Sequence, residues 1–244
     1  MTTTQDWSKH ANDLGDLLAL AAPPIAITFS GAPPAGVAAF DAPMPAPLPD
    51  GRTGRVPAGC AFWIESVEAT FSTVAEDHGN CSVGSLTHGF KTLDEVAGNS
   101  DIAALLETGW VTMDVVPQIP VVTERPGAVT YGPLADTPID PDVVLLRVNG
   151  KQLMVLHDAM PDMHLEGKPQ CHIVALAKEQ GVVAASVGCA LSRVRTGMSA
   201  NEMTCAIPAA KVGDVLTALT ATASADGQVA SYAGEDALRF EAVS

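Results

Sequence analysis

Cations are scarce in this chain: Lys and Arg number 13 against 28 Asp and Glu, a formal net charge of −15. Nucleic-acid affinity rests on basic side chains that neutralise phosphates, so DNA and RNA are excluded as partners, and anionic membranes by the same argument. No apolar run approaches the roughly 18–20 residues that a membrane span needs. The opening MTTTQDWSKH lacks the basic-then-apolar order of a secretory signal. A cytoplasmic protein is expected. Aromatic residues are also few, 5% of a chain that is 47% hydrophobic, so the core should be aliphatic and closely packed. Several motifs are missing: GxGxxG after the first strand, GxxxxGK followed by Ser or Thr, HExxH and GxSxG, which removes support for nucleotide binding and serine hydrolase chemistry. No CxxC pair occurs, and the five cysteines, an odd number in a reducing compartment, should be thiols rather than disulfides.

What is present reads as α/β. Trp7, Ala11, Leu14, Leu17, Leu18 and Ala21 recur at helical spacing, predicting a helix over residues 5–21, and IAITF (25–29) reads as a buried strand. Seven prolines between Gly31 and Gly59 forbid regular pairing over most of a long loop, either a mobile surface insertion or a binding loop. Cys60, Trp63, Ile64, Val67 and Phe71 then fit one face of a helix that starts near Cys60. STVAED reads as a strand, Thr92 and Glu95 as a capping box, and residues 110–134 as edge strands broken by proline. DVVLLRV (142–148) is another buried strand, followed by a turn at Asn149–Gly150 and a helix over KQLMVLHDAM. A helix opens at Cys171 and stops at Gly181, VVAASV is a strand, Ser199 and Glu202 suggest a second capping box, TCAI a last strand, and Val212, Val215, Leu216 and Leu219 a closing helix.

Two stretches echo each other. STVAEDHGNCSVGS and VVAASVGCALSRVR each run from a β-prone segment through glycine into cysteine. Each follows an earlier cysteine with a proline just before it: Pro57 and Cys60 in the first case, Pro169 and Cys171 in the second. The separations are 21 residues (81 minus 60) and 18 (189 minus 171). The expected fold is therefore a single domain, residues 1–244, of two related α/β halves, about 22–135 and about 140–222, with a mixed sheet and the proline-rich loop.

If the halves pack about a twofold axis, Cys60, Cys81, Cys171 and Cys189 converge. Four thiolates suit zinc or an iron–sulfur cluster, and helix N-termini at Cys60 and Cys171 should lower their pKa values. The competing reading is that each cysteine is a small buried apolar residue, as Cys205 should be. Four of seven arginines, Arg52, Arg55, Arg193 and Arg195, lie within eight residues of one of these cysteines. They either hold an anionic substrate, for which Arg55, Arg193 and Arg195 are the candidates, or pair with the many surface carboxylates. His78, three residues before Cys81, is the candidate for proton transfer; His88, His157, His164 and His172 read as ordinary packing or surface residues.

PPIAITF, CAFW at Cys60, NCSVG at Cys81, Cys171, SVGCALSRVR and CAIPAAKVGDVLTAL, in that order over about residues 22–220, resemble the uncharacterised ArCR-like family, the domain of unknown function numbered one hundred and sixty-nine. The resemblance implies no settled activity. It marks Cys60, Cys81, Cys171, Cys189 and Arg193 as motif positions, and its members' frequent origin in anaerobes favours an oxygen-sensitive cofactor. Taken together, the residues point to a cysteine-ligated metallocofactor protein, iron–sulfur first, acting on a small anionic molecule as a lyase, hydratase or redox enzyme. The alternatives are a haem or small-molecule binding module and a thiol enzyme using Cys189. A homo-oligomer is compatible with all three.

Overall fold

The computed structural model describes residues 6–167 and 169–242. Its strands, in chain order, are β1 Ile25–Ser30, β2 Phe71–Thr73, β3 Ala128–Pro133, β4 Val143–Val148, β5 His164–Glu166, β6 Ala184–Ser186 and β7 Met203–Pro208. They form one mixed sheet of order β2-β3-β1-β4-β7-β6-β5, antiparallel except where β5 joins β6. The helices are α1 Trp7–Leu18, α2 Phe62–Glu65, α3 Ser82–Thr87, α4 Leu93–Val96, α5 Ser100–Glu107, α6 Gly150–Ala159, α7 His172–Gln180, α8 Ala190–Thr196 and α9 Val212–Glu241.

The register repeats about the central pair. Ala26 lies opposite Val144, flanked by Ile25 opposite Leu145 and Ile27 opposite Val143, so rotation about that point exchanges β1 with β4. The next strands follow the same rule: β3 ends with Pro133 opposite Ile25, and β7 ends with Pro208 opposite Val143. Outside them, Thr73 of β2 faces Val129 and Ser186 of β6 faces Thr204. Both prolines turn the chain out of the sheet into a three-residue 3-10 helix, 134–136 and 209–211. Proline suits that place because its fixed φ and missing N–H end a ladder without wasting a hydrogen bond. Even β5, parallel to β6, has a counterpart: a single parallel bridge joins Ala39 to Ser72 of β2.

Alternating side chains send each central strand to two cores. Ala26, Val144, Leu146, Cys205 and Ile207 face one side, packed under α1, α6 and the first turns of α9. Ile25, Ile27, Val143, Leu145, Tyr131 and Ala206 face the other, where Phe62, Trp63 and Phe90 join Ile173, Val174 and Ala177 of α7. The cysteine-bearing segments lie on this second face, with Cys60 and Cys171 packed against its core.

Several local expectations change. The helix after Cys60 is four residues long, because from Val67 the backbone bonds reach back only three residues and the chain turns toward β2. β3 is an internal strand between β1 and β2 rather than an edge, its prolines confined to its ends. Asn149 caps α6 in a reciprocal pair with Gln152 instead of forming a free turn. Ser199 and Glu202 make a turn into β7, with the Glu202 carboxylate bound to Arg147 at 2.6 Å, so no helix starts there. The chain beyond residue 224 remains helical to Glu241. Among the described residues no helix is long and apolar enough to cross a membrane.

Candidate functional site

Thr73 and Ser186, at matching places in β2 and β6, are the last strand residues before the two cysteine turns, and both are fully buried. Thr73 Oγ1 donates to the Val129 carbonyl, and Ser186 Oγ accepts from the Gly188 N–H. The chain then reaches Cys81, which precedes α3, and Cys189, which precedes α8. The two share an extended backbone, φ −129° and −131°. The glycine in each turn is required by close approach. A Cβ on Gly79 would run into the Thr53 carbonyl; one on Gly188, whose φ is +119°, would run into the Arg193 guanidinium.

Cys60, in the 3-10 turn 59–61, and Cys171, at the start of α7, come to the same place. Cys60, Cys81, Cys171 and Cys189 all line one cavity of about 30 Å3, together with Gly84, His88, Trp110, Gln170, Leu191 and Ser192. All are free thiols. The four are close enough that the charge of each of the other three would raise the pKa of Cys171.

Cys60, Cys81 and Cys171 are held in their neutral form. Burial pushes Cys60 up to about 12, against an opposing hydrogen bond with Ser192. Cys171 is pushed well above the ordinary thiol value by burial, and Cys81 is raised by burial despite the nearby Arg195 charge. Lowering by helix dipoles, expected from the sequence, is thus overturned. The helix after Cys60 is too short to carry a useful dipole, and at α7 desolvation outweighs whatever the helix end contributes. A bound cation reverses this logic, since a coordinating thiol is deprotonated outright. Among the described residues no three His, Cys, Asp or Glu side chains are placed to hold one metal ion as they stand.

Two polar atoms on the lining side chains are buried without a hydrogen-bond partner among the described residues: His88 Nε2 and Gln170 Oε1. Such atoms are rare in native interiors and point to something else that satisfies them. The rest of each side chain is well anchored. His88 Nδ1 lies 3.0 Å from the Gly84 carbonyl, and Gln170 Nε2 donates to Ser192 Oγ at 2.8 Å. Burial lowers His88 to about 4, so it stays neutral near pH 7.

The residue order and the cysteine turns together place the chain by family. The profile described as DUF169, Uncharacterised ArCR, matches residues 13–218. The chain belongs to that family. No curated protein and no solved structure matches it.

The other candidates for this site stand around the cavity rather than on it. His78 is buried behind it, Nε2 3.0 Å from Thr73 Oγ1 and its ring packed on Phe62 and Phe90, with burial holding its pKa well down. Arg55 ion-pairs with Asp77 at 3.0 Å and donates to the Ala42 carbonyl. Arg193 donates to the carbonyls of Val187 and Glu202, bracing the Cys189 turn. Arg195 borders an adjoining groove with Trp110 and Leu191, its NH1 3.5 Å from the Asn80 carbonyl. Its charge reaches the Cys81 thiol. The proline loop has a supporting role: Arg52 ties Asp50, Asp101 and Ser82 together, while Asn80 Nδ2 donates to the carbonyls of Gly54 and Val56. Asp101 in turn accepts from the Ser82 N–H at 2.9 Å, so the loop and α5 jointly fix the turn that carries Cys81.

Reading the sequence alone missed His88, Gln170, Ser192 and Trp110 on this cavity. Three of them carried a signal. Gln170 adjoins Cys171, Ser192 is one helical turn beyond Cys189, and His88 shares the helical face of Cys81 and Gly84 at i, i+3 and i+7. Trp110 carried none, because it reaches the cavity from a loop.

Proposed function

We propose that the protein holds a cysteine-ligated metallocofactor, an iron–sulfur cluster, between Cys60, Cys81, Cys171 and Cys189, and that it transforms a small anionic molecule there. The observation that carries this reading is the four cysteines, drawn from equivalent places in the two halves, lining one cavity with two orphaned polar atoms. A four-iron cluster is preferred to a single ion because each cysteine then binds its own iron, so no three side chains need to meet at one point. The cavity is small, about 30 Å3, so a cluster is expected to displace part of its wall. Trp110 is the wall with room to yield, since it also lines the grooves of about 530 and 580 Å3 on either side.

Within this reading the chain's own groups divide the work. His88 Nε2 and Gln170 Oε1 are acceptors and take hydrogen bonds from donor groups of the substrate or of water in the cavity, and Arg195 holds the anionic end of the substrate on the Trp110 side. A cluster with an open iron would supply Lewis-acid chemistry for a hydratase or lyase, and a fully ligated one would transfer electrons. Protein purified without oxygen is expected to be brown, with iron and acid-labile sulfide in near-equal amounts. Both should fall in Cys81→Ser and Cys189→Ser while the far-ultraviolet circular dichroism is retained. Colourless, metal-free protein that is folded and gains neither iron nor sulfide on anaerobic reconstitution ends the proposal.

A further inference from the structure

A mainly apolar recess opens beside the cysteine cavity, not within it. It has a volume of about 530 Å3, within the range of small-molecule pockets, and α3, α4, α5, the 110–120 segment and α7 wall it with side chains such as Val83, Leu86, Leu105, Val116 and Leu176. Among its polar lining residues, with Thr112, Gln118 and His164, stand His172 and Glu166. His172 is 8% exposed, and its Nε2 is buried with no hydrogen-bond partner among the described residues. Its other ring nitrogen, Nδ1, is 3.7 Å from Glu166 Oε1, and the second oxygen of that carboxylate is 3.3 Å from His164 Nε2.

This arrangement specifies a ligand. A carboxylate beside Nδ1 keeps the ring proton on Nδ1, so the lone pair of this recess-lining ring is on Nε2. An apolar pocket with one buried acceptor selects molecules that bring a donor to it, because leaving that acceptor unpaired costs more than one hydrogen bond returns. Glu166 at the same wall opposes a ligand carboxylate. We propose that this recess is a second binding site, for an uncharged small molecule with an apolar body and one hydroxyl donor that bonds to His172 Nε2. The site does not depend on what the cysteines hold.

The test uses three fluorescent probes with the full-length protein: naphthylethanol, its methyl ether and naphthylacetate, each titrated by fluorescence anisotropy. The alcohol is expected to bind roughly fivefold more tightly than the ether, about what one net hydrogen bond contributes, and the carboxylate most weakly. In His172→Phe the alcohol should fall to the affinity of the ether while the ether is unchanged. Val116→Trp, which fills the recess without touching His172, should abolish binding of all three. Equal affinity of alcohol and ether for the unaltered protein, tightest binding of the carboxylate, absence of saturable binding, or binding that survives Val116→Trp would each overturn the site.

Discussion

Cys205 shows what burial alone does to a thiol in this protein. It is fully enclosed in the core on the α1, α6 and α9 side, and burial by itself pushes its pKa from 9.0 up to about 12. The unfolded chain gives up this proton near pH 9, the folded chain only near pH 12. The stability it contributes is therefore complete below pH 9 and is lost as pH rises toward 12. Replacing it should remove one proton from that dependence: urea unfolding of Cys205→Ala between pH 9.5 and 11 is expected to show a slope shallower by about 1.4 kcal/mol per pH unit than the unaltered protein. An identical slope in the two proteins would contradict the assignment. The same desolvation acts on Cys60 and Cys171, so in metal-free protein these thiols should resist alkylation at pH 8, whereas the unfolded chain reacts readily.

The two cysteine turns put the weight of the fold on their glycines. Gly188 combines a left-handed backbone with an Arg193 guanidinium lying where a Cβ would go, and that guanidinium is itself held by two carbonyls. Gly188→Ala is expected to cost about 1–3 kcal/mol in chemical denaturation, the range for a non-glycine residue in such a conformation. Gly15→Ala, inside α1 with no atom in the way, should instead gain about 0.5–1 kcal/mol. A Gly188→Ala protein as stable as the parent would mean that the turn has another conformation to use. The same contrast explains which elements could be read in advance. α7 and its Gly181 cap, the Thr92–Glu95 capping box and β4 are set by neighbouring residues and were legible. α2 was read too long, and β3 was misplaced to an edge, because where a strand lies in a sheet depends on its partners rather than on its own residues.

Across the whole molecule, the excess of acidic side chains acts against compactness. With a net charge of −15, self-repulsion should be partly relieved by salt, whose Debye length shrinks from about 30 Å at 0.01 M to about 10 Å at 0.1 M. Thermal unfolding is therefore expected to shift upward by several degrees over that range. A downward shift would show that ion pairs such as Arg52–Asp101 and Arg147–Glu202 outweigh the net repulsion. The twofold relation of β1, β3 and β2 to β4, β7 and β6 has its own consequence at this scale. Cysteines more than a hundred residues apart in sequence meet on one face because each sits at the same place relative to the axis.

The alternation of apolar residues, the caps and the paired glycine–cysteine turns are local, so the sequence alone determined an α/β chain with a repeated unit and named the four cysteines. Whether those cysteines share a cavity, which arginines are already engaged by carbonyls and carboxylates, and that His88, Gln170 and Trp110 stand beside the thiols were decided by tertiary packing. So was the direction of the thiol pKa values. Spacing along the chain reports helix ends, but the loss of water around a side chain depends on every element that folds over it.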